Sequence, residues 1–87
     1  MKVLLFIDTH CRACKPLHAM LERFSERHGF AMQVFVLEND VAPFVAHGVT
    51  GVPVFIVMDE NNEVGRFTGH QTHTSLEGNL RKFGVIE

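Results

Sequence analysis

Lys2-Val3-Leu4-Leu5-Phe6-Ile7-Asp8-Thr9-His10-Cys11-Arg12-Ala13-Cys14 passes from a continuous apolar run straight into a Cys-x-x-Cys pair. The run over residues 2–7 suits a buried strand. From Cys14 onward Leu17, Leu21 and Phe24 recur at helical spacing, while Arg12, Lys15, Glu22, Arg23 and Glu26 supply a wet face. His28-Gly29, a cation followed by a glycine, marks the end of that helix. The two cysteines, the only ones in the chain, therefore sit where a strand turns into a helix. There the first-turn N–H groups and the positive end of the helix dipole favour a thiolate. Two thiols at this spacing can close a small disulfide ring and open it again, so exchange chemistry is the first functional hypothesis. Pro16 fits the helix if its regular part begins near Cys14, because deeper inside it would remove a hydrogen bond.

Outward from this stretch the pattern continues as short alternating elements. Met32–Leu37 reads as a second strand, and strand-helix-strand connectivity implies a parallel pair. Asn39 or Asp40 can cap a short helix placing Val41, Phe44 and Val45 on one face and ending at His47-Gly48. Val52–Met58 is a third strand with Pro53 near its start, where a missing N–H is tolerated. Asp59-Glu60-Asn61-Asn62 is turn chemistry leading to a fourth strand over Glu63–Thr68 in an antiparallel hairpin. After a loop from Gly69 to His73, Thr74-x-x-Glu77 reads as a capping box for a last helix with Leu76, Leu80 and Phe83 inward. The predicted fold is α/β, ordered β-α-β-α-β-β-α, with a four-stranded mixed sheet flanked by three helices in one domain over residues 1–87.

Composition narrows the function classes. With 46% hydrophobic residues, 87 residues can bury one modest core without staples, and eight Phe beside no Trp or Tyr point to aromatics as core filler. A formal net charge of −2 gives no basic field for nucleic acid or an anionic membrane. No apolar run approaches the roughly 20 residues of a membrane span, and Val3–Ile7 is shorter than a signal-peptide core. The expectation is a cytoplasmic monomer. In that reducing compartment Cys-x-x-Cys is more often catalytic or metal-binding than structural.

Cys11-Arg12-Ala13-Cys14-Lys15 after a strand, and Gly48-Val49-Thr50-Gly51-Val52-Pro53 about 40 residues later before another, together resemble the thioredoxin-fold superfamily. The likeness covers nearly the whole chain, in the minimal form shared by glutaredoxins and small thioredoxin-like proteins, without the extra N-terminal strand and helix of an ordinary thioredoxin. It implies a thiol–disulfide oxidoreductase in which Cys11 is the nucleophile and Cys14 the resolving thiol. It implies a cis Val52–Pro53 bond beside the cysteines, with the Val52 backbone open to an extended substrate. Gly69 and His70 fall on the loop that borders the substrate in the family. No cofactor is expected beyond the reversible Cys11–Cys14 disulfide. The expected partners are protein disulfides and a thioredoxin reductase-type electron donor.

The departures from that pattern bear on tuning. His10 stands where thioredoxins usually carry Trp, and Leu5 where they carry a buried carboxylate six residues before the nucleophile. His10, Arg12 and Lys15 are the candidates for lowering the Cys11 pKa below the free value of about 8.5. His10 can also shuttle protons. Asp8 reads better as a helix cap than as a replacement acid. Before the last helix, Gly69-His70-Gln71-Thr72-His73 lacks the paired glycine and acidic residues of a glutathione site. A glutathione-dependent, glutaredoxin-like activity is thus the alternative rather than the first reading. A rival from another class is a zinc site built from Cys11, Cys14, His18 and His10, since Cys14 and His18 share a helix face at i,i+4. A c-type haem is disfavoured because Lys15, not His, follows Cys14. An interaction module that kept the fold and lost the chemistry is disfavoured by the intact cysteine pair.

Overall fold

The structure, a computed structural model, describes residues 1–87. Strand β1 (Lys2–Ile7) leads to helix α1 (Cys14–His28), strand β2 (Ala31–Val36), helix α2 (Val41–Ala46), the hairpin β3 (Val54–Asp59) and β4 (Asn62–Thr68), and helix α3 (His73–Lys82). The sheet order is β2-β1-β3-β4, with β1 parallel to β2, β1 antiparallel to β3 and β3 antiparallel to β4. This is the mixed α/β architecture that the sequence predicts. No helix is long and apolar enough to cross a membrane.

The continuous apolar run of β1 is explained by its place between two strands with cover on both faces. Alternate residues divide between two cores. Val3 and Leu5, with Phe55 of β3, pack against Leu17, Leu21 and Phe24 of α1 and Leu76 and Leu80 of α3. Leu4 and Phe6, with Val54 and Ile56 of β3, pack against Phe44 of α2 and Val49. Removing one of the fully buried leucines, such as Leu21, costs about 2–5 kcal/mol in lost transfer energy and cavity. Helix α1 ends at Gly29, whose φ of 73° is left-handed and whose N–H donates to the Ser25 carbonyl at 2.8 Å.

Four local expectations change. Helix α2 buries Phe44 alone, while Val41 and Val45 are 57% and 75% exposed. The Phe44 ring meets Phe6 edge-on at 5.0 Å, and one aromatic ring fills on this short helix the space assigned to two valines. Asp40 does not cap α2 with its side chain; its carboxylate accepts the Val36 N–H at 2.9 Å and closes the turn after β2. Strand β3 starts at Val54, since Pro53 has no N–H for the ladder. The box that opens α3 is Thr72 with Ser75, two residues earlier than predicted, and Glu77 pairs with Arg81 at 3.2 Å.

Phe83 is half-buried at the end of α3 and stacks on Phe67 of β4. Its ring lies across Gly65, where an added Cβ would overlap it. Gly65→Ala should therefore lower stability by about 1–3 kcal/mol in urea denaturation. Phe83→Ala in the same chain should remove most of that added cost. An equal cost in both backgrounds would show that the ring does not limit this position.

Candidate active site

Three segments leave the sheet at one end because of the register. Phe6 pairs with Val54, and Val54 with Thr68, so the exit from β1, the entry to β3 and the exit from β4 lie side by side. The first carries Cys11 and Cys14, the second Val52 and Pro53, the third Gly69 and His70.

On the first segment, Asp8 accepts the His10 N–H at 2.9 Å, which folds the loop tip and leaves α1 without a side-chain cap. The capping role expected for Asp8 is thus replaced by a turn within the loop. Thr9 donates its N–H (3.2 Å) and its hydroxyl (2.9 Å) to the two oxygens of Glu38, tying the loop to the segment after β2. Regular helix begins at Cys14, so Pro16 is its third residue, where no intrahelical N–H is required. No acid occupies the first turn of α1. Cys11 and Cys14 are disulfide-bonded, with Cα atoms 5.4 Å apart. They are not equivalent: Cys11 is half-buried, whereas Cys14 is 1% exposed. Leu5 is fully buried, and the only buried polar side chain in the chain is Gln71.

On the second segment the Val52–Pro53 peptide is cis. Pro53 is buried and its carbonyl accepts the Gly69 N–H at 3.1 Å, joining the second and third segments. Thr50, Gly51 and Val52 make no backbone hydrogen bond. A recess of about 410 Å³ opens here, with Val52, Pro53, Thr68 and Gly69 in its wall. A smaller one of about 160 Å³ reaches from Asp8 to Thr50–Val52, so the cysteine loop and the proline loop share a boundary.

Two further supports of the site have no signal in the sequence pattern. Arg66 donates to both oxygens of Glu63 (2.7 and 2.6 Å) and to the His47 carbonyl (2.9 Å), fastening β4 to the end of α2. The pair holds the Glu63 carboxyl below and the Arg66 guanidinium above their ordinary values. Gln71 accepts from Ser75 and Asn79 and donates to the Thr68 and Gly69 carbonyls, fixing Gly69 against α3. His70 points outward, exposed, with no side-chain hydrogen bond. His10, Arg12 and Lys15 are exposed around the cysteines. His18 lies 3.9 Å from Glu22, and no three His, Cys, Asp or Glu side chains are grouped as metal ligands.

The Thr9 hydroxyl is the main reason the Glu38 carboxyl lies below its ordinary value, with His10 adding a smaller charge effect. Because the folded value is depressed, the tether is fully present above the ordinary glutamate value and is lost as pH falls through the depressed one. Acid titration followed at the Thr9 amide by NMR should place this transition below that of an exposed glutamate, and Glu38→Gln should erase it. A midpoint at the ordinary value would overturn the tether.

The thioredoxin family profile matches residues 1–82. No curated protein matches the sequence. Among solved structures, a Fasciola hepatica thioredoxin superposes with a TM-score of 0.85 at 19% identity, covering 94% of this chain and 79% of that one. Thioredoxin 1 from Thermosipho africanus gives 0.78 at 20%, covering 94% and 97%. A reduced Schistosoma mansoni thioredoxin gives 0.80 at 23%, covering 94% and 77%. At these identities the superpositions speak to the fold, which agrees with the profile match, and the chain belongs to the thioredoxin family.

Proposed function

We propose that this protein reduces protein disulfides by thiol–disulfide exchange through Cys11 and Cys14. The observation that carries the reading is the unequal burial of a bonded cysteine pair at an uncapped helix start, beside unpaired backbone at Val52. Cys11, the more accessible sulfur, attacks the substrate disulfide as a thiolate. Cys14 then attacks the mixed disulfide, releasing the reduced substrate and restoring the Cys11–Cys14 bond. The substrate segment lies extended along Val52 and Pro53, pairing with the free N–H and C=O of Val52. Gly69 and His70 border the same groove.

His10, Arg12 and Lys15 supply positive charge around Cys11 and, with the helix N-terminus, lower its pKa. Gln71 is the only buried polar side chain, so no buried acid takes up the Cys14 proton. No cofactor is needed beyond the disulfide itself. The electron donor is a thioredoxin reductase-type enzyme rather than glutathione, because Gln71 and Thr72 are engaged within the Gly69–His73 loop, which carries no acidic pair. The place of action is the cytoplasm, where a reductant keeps the pair cycling.

Cys14→Ser should accumulate a covalent complex with a disulfide substrate such as insulin through Cys11, released by dithiothreitol. Cys11→Ser should form none and should fall to the uncatalysed rate of insulin reduction. Trapping through position 14 alone would invert the roles. NADPH-coupled turnover with a thioredoxin reductase should exceed that with glutathione and its reductase, and the reverse ranking would assign the donor to glutathione.

A further inference from the structure

The reading above uses the recess beside Val52 and Pro53, on the β3 side. Another lies on the β2 side, has a volume of about 480 Å³, and holds both Cys11 and Cys14 in its wall. Part of its lining is apolar, from Ile7 and Val36, which are partners across the β1–β2 ladder. Its remaining wall carries Arg12, Lys15 and His18 against one carboxylate, Asp8, with Thr9 beside it. Arg12 and Lys15 make no salt bridge and no side-chain hydrogen bond. Of the acids here, Asp8 lies in the wall and accepts the His10 N–H, Glu38 accepts from Thr9, and Glu22 lies opposite His18, so none of them pairs with Arg12 or Lys15. In a chain of net charge −2, two unpaired cations flank a reactive sulfur pair beside an apolar surface.

The volume falls in the range of small-molecule sites. A guanidinium matches the planar geometry of a carboxylate, and a nearby ammonium adds a point charge. We propose that this β2-side recess is a subsite for compact, carboxylate-bearing disulfides. The stem rests on Ile7 and Val36, the carboxylate faces Arg12 and Lys15, and the disulfide meets Cys11. The proposal rests on the exchange chemistry above and names a second substrate class for it. The Cys11 thiolate attacks one sulfur of RS–SR, forming Cys11–S–SR and expelling RS⁻. Cys14 as thiolate then forms the Cys11–Cys14 disulfide and expels the second RS⁻. The dithiol loses two electrons and two protons, the small disulfide becomes two thiols, and an added dithiol or reductase restores the protein.

The test uses three small disulfides of different charge: dithiodipropionate (anionic), bis(hydroxyethyl) disulfide (neutral) and cystamine (cationic). Reduced protein is mixed with each, and oxidation of the cysteine pair is followed by quenched alkylation and mass. In Arg12→Gln/Lys15→Gln the anionic-to-neutral rate ratio should fall about five- to tenfold relative to the parent, as expected for two exposed cations. The cationic-to-neutral ratio should rise, and high salt should shrink both differences in the parent. Both positions are exposed, so folding is not at stake. If all three rates drop together at constant ratio, the cations act on the Cys11 thiolate alone and the subsite is overturned. Unchanged rates overturn it as well. Reduction of insulin with no reaction on any small disulfide overturns the subsite and leaves the protein-disulfide reading standing, whereas inertness toward both defeats that reading itself.

Discussion

The antiparallel register of β1 against β3, Phe6 opposite Val54, is the constraint on which the rest depends. It is set by burial rather than by local sequence. Val3 and Leu5 must meet the α1–α3 core while Leu4 and Phe6 meet Phe44 and Val49, and a slip of one residue would exchange the two sets. With that register fixed, the loop after β1 and the loop before β3 have nowhere to go but alongside each other. The juxtaposition of Cys11 and Cys14 with Pro53 is thus a property of the central strand pair, and the loops inherit it.

Around this frame the site is held by polar contacts, two of them between residues distant in sequence. Glu38 holds Thr9, Arg66 holds the His47 carbonyl, and Gln71 joins Gly69 to α3. Leu5, six residues before Cys11, belongs to the apolar core under α1 and α3 and brings no polar group to the site. Around the pair stand an uncapped helix start and the exposed side chains of His10, Arg12 and Lys15.

What was legible in the sequence follows the range of the interaction concerned. The Cys-x-x-Cys at a strand-to-helix turn, the span of α1 and the stop at Gly29 are local, and each was read at its observed position. In helix α3 the predicted inward residues Leu76 and Leu80 are buried and Phe83 is half-buried, but the cap differs. Thr72-x-x-Ser75 and Thr74-x-x-Glu77 both fit that face, and what selects the first is Gln71, buried and bonded to Ser75. The exposed valines of α2 show the same limit, because the ring of Phe44 settles the rotation of a helix of six residues by packing on Phe6. Thr9 and Glu38 lie 29 residues apart, and no spacing rule connects them.

The stretch before Pro53 is suspended from both ends. The Val49 N–H donates to the Phe44 carbonyl at one end, and the Pro53 carbonyl accepts from Gly69 at the other, leaving Thr50, Gly51 and Val52 with unoccupied donors and acceptors. A segment held this way has already lost most of its backbone freedom when the protein folds. Any extended chain that paired with it would bear the ordering cost of its own residues only.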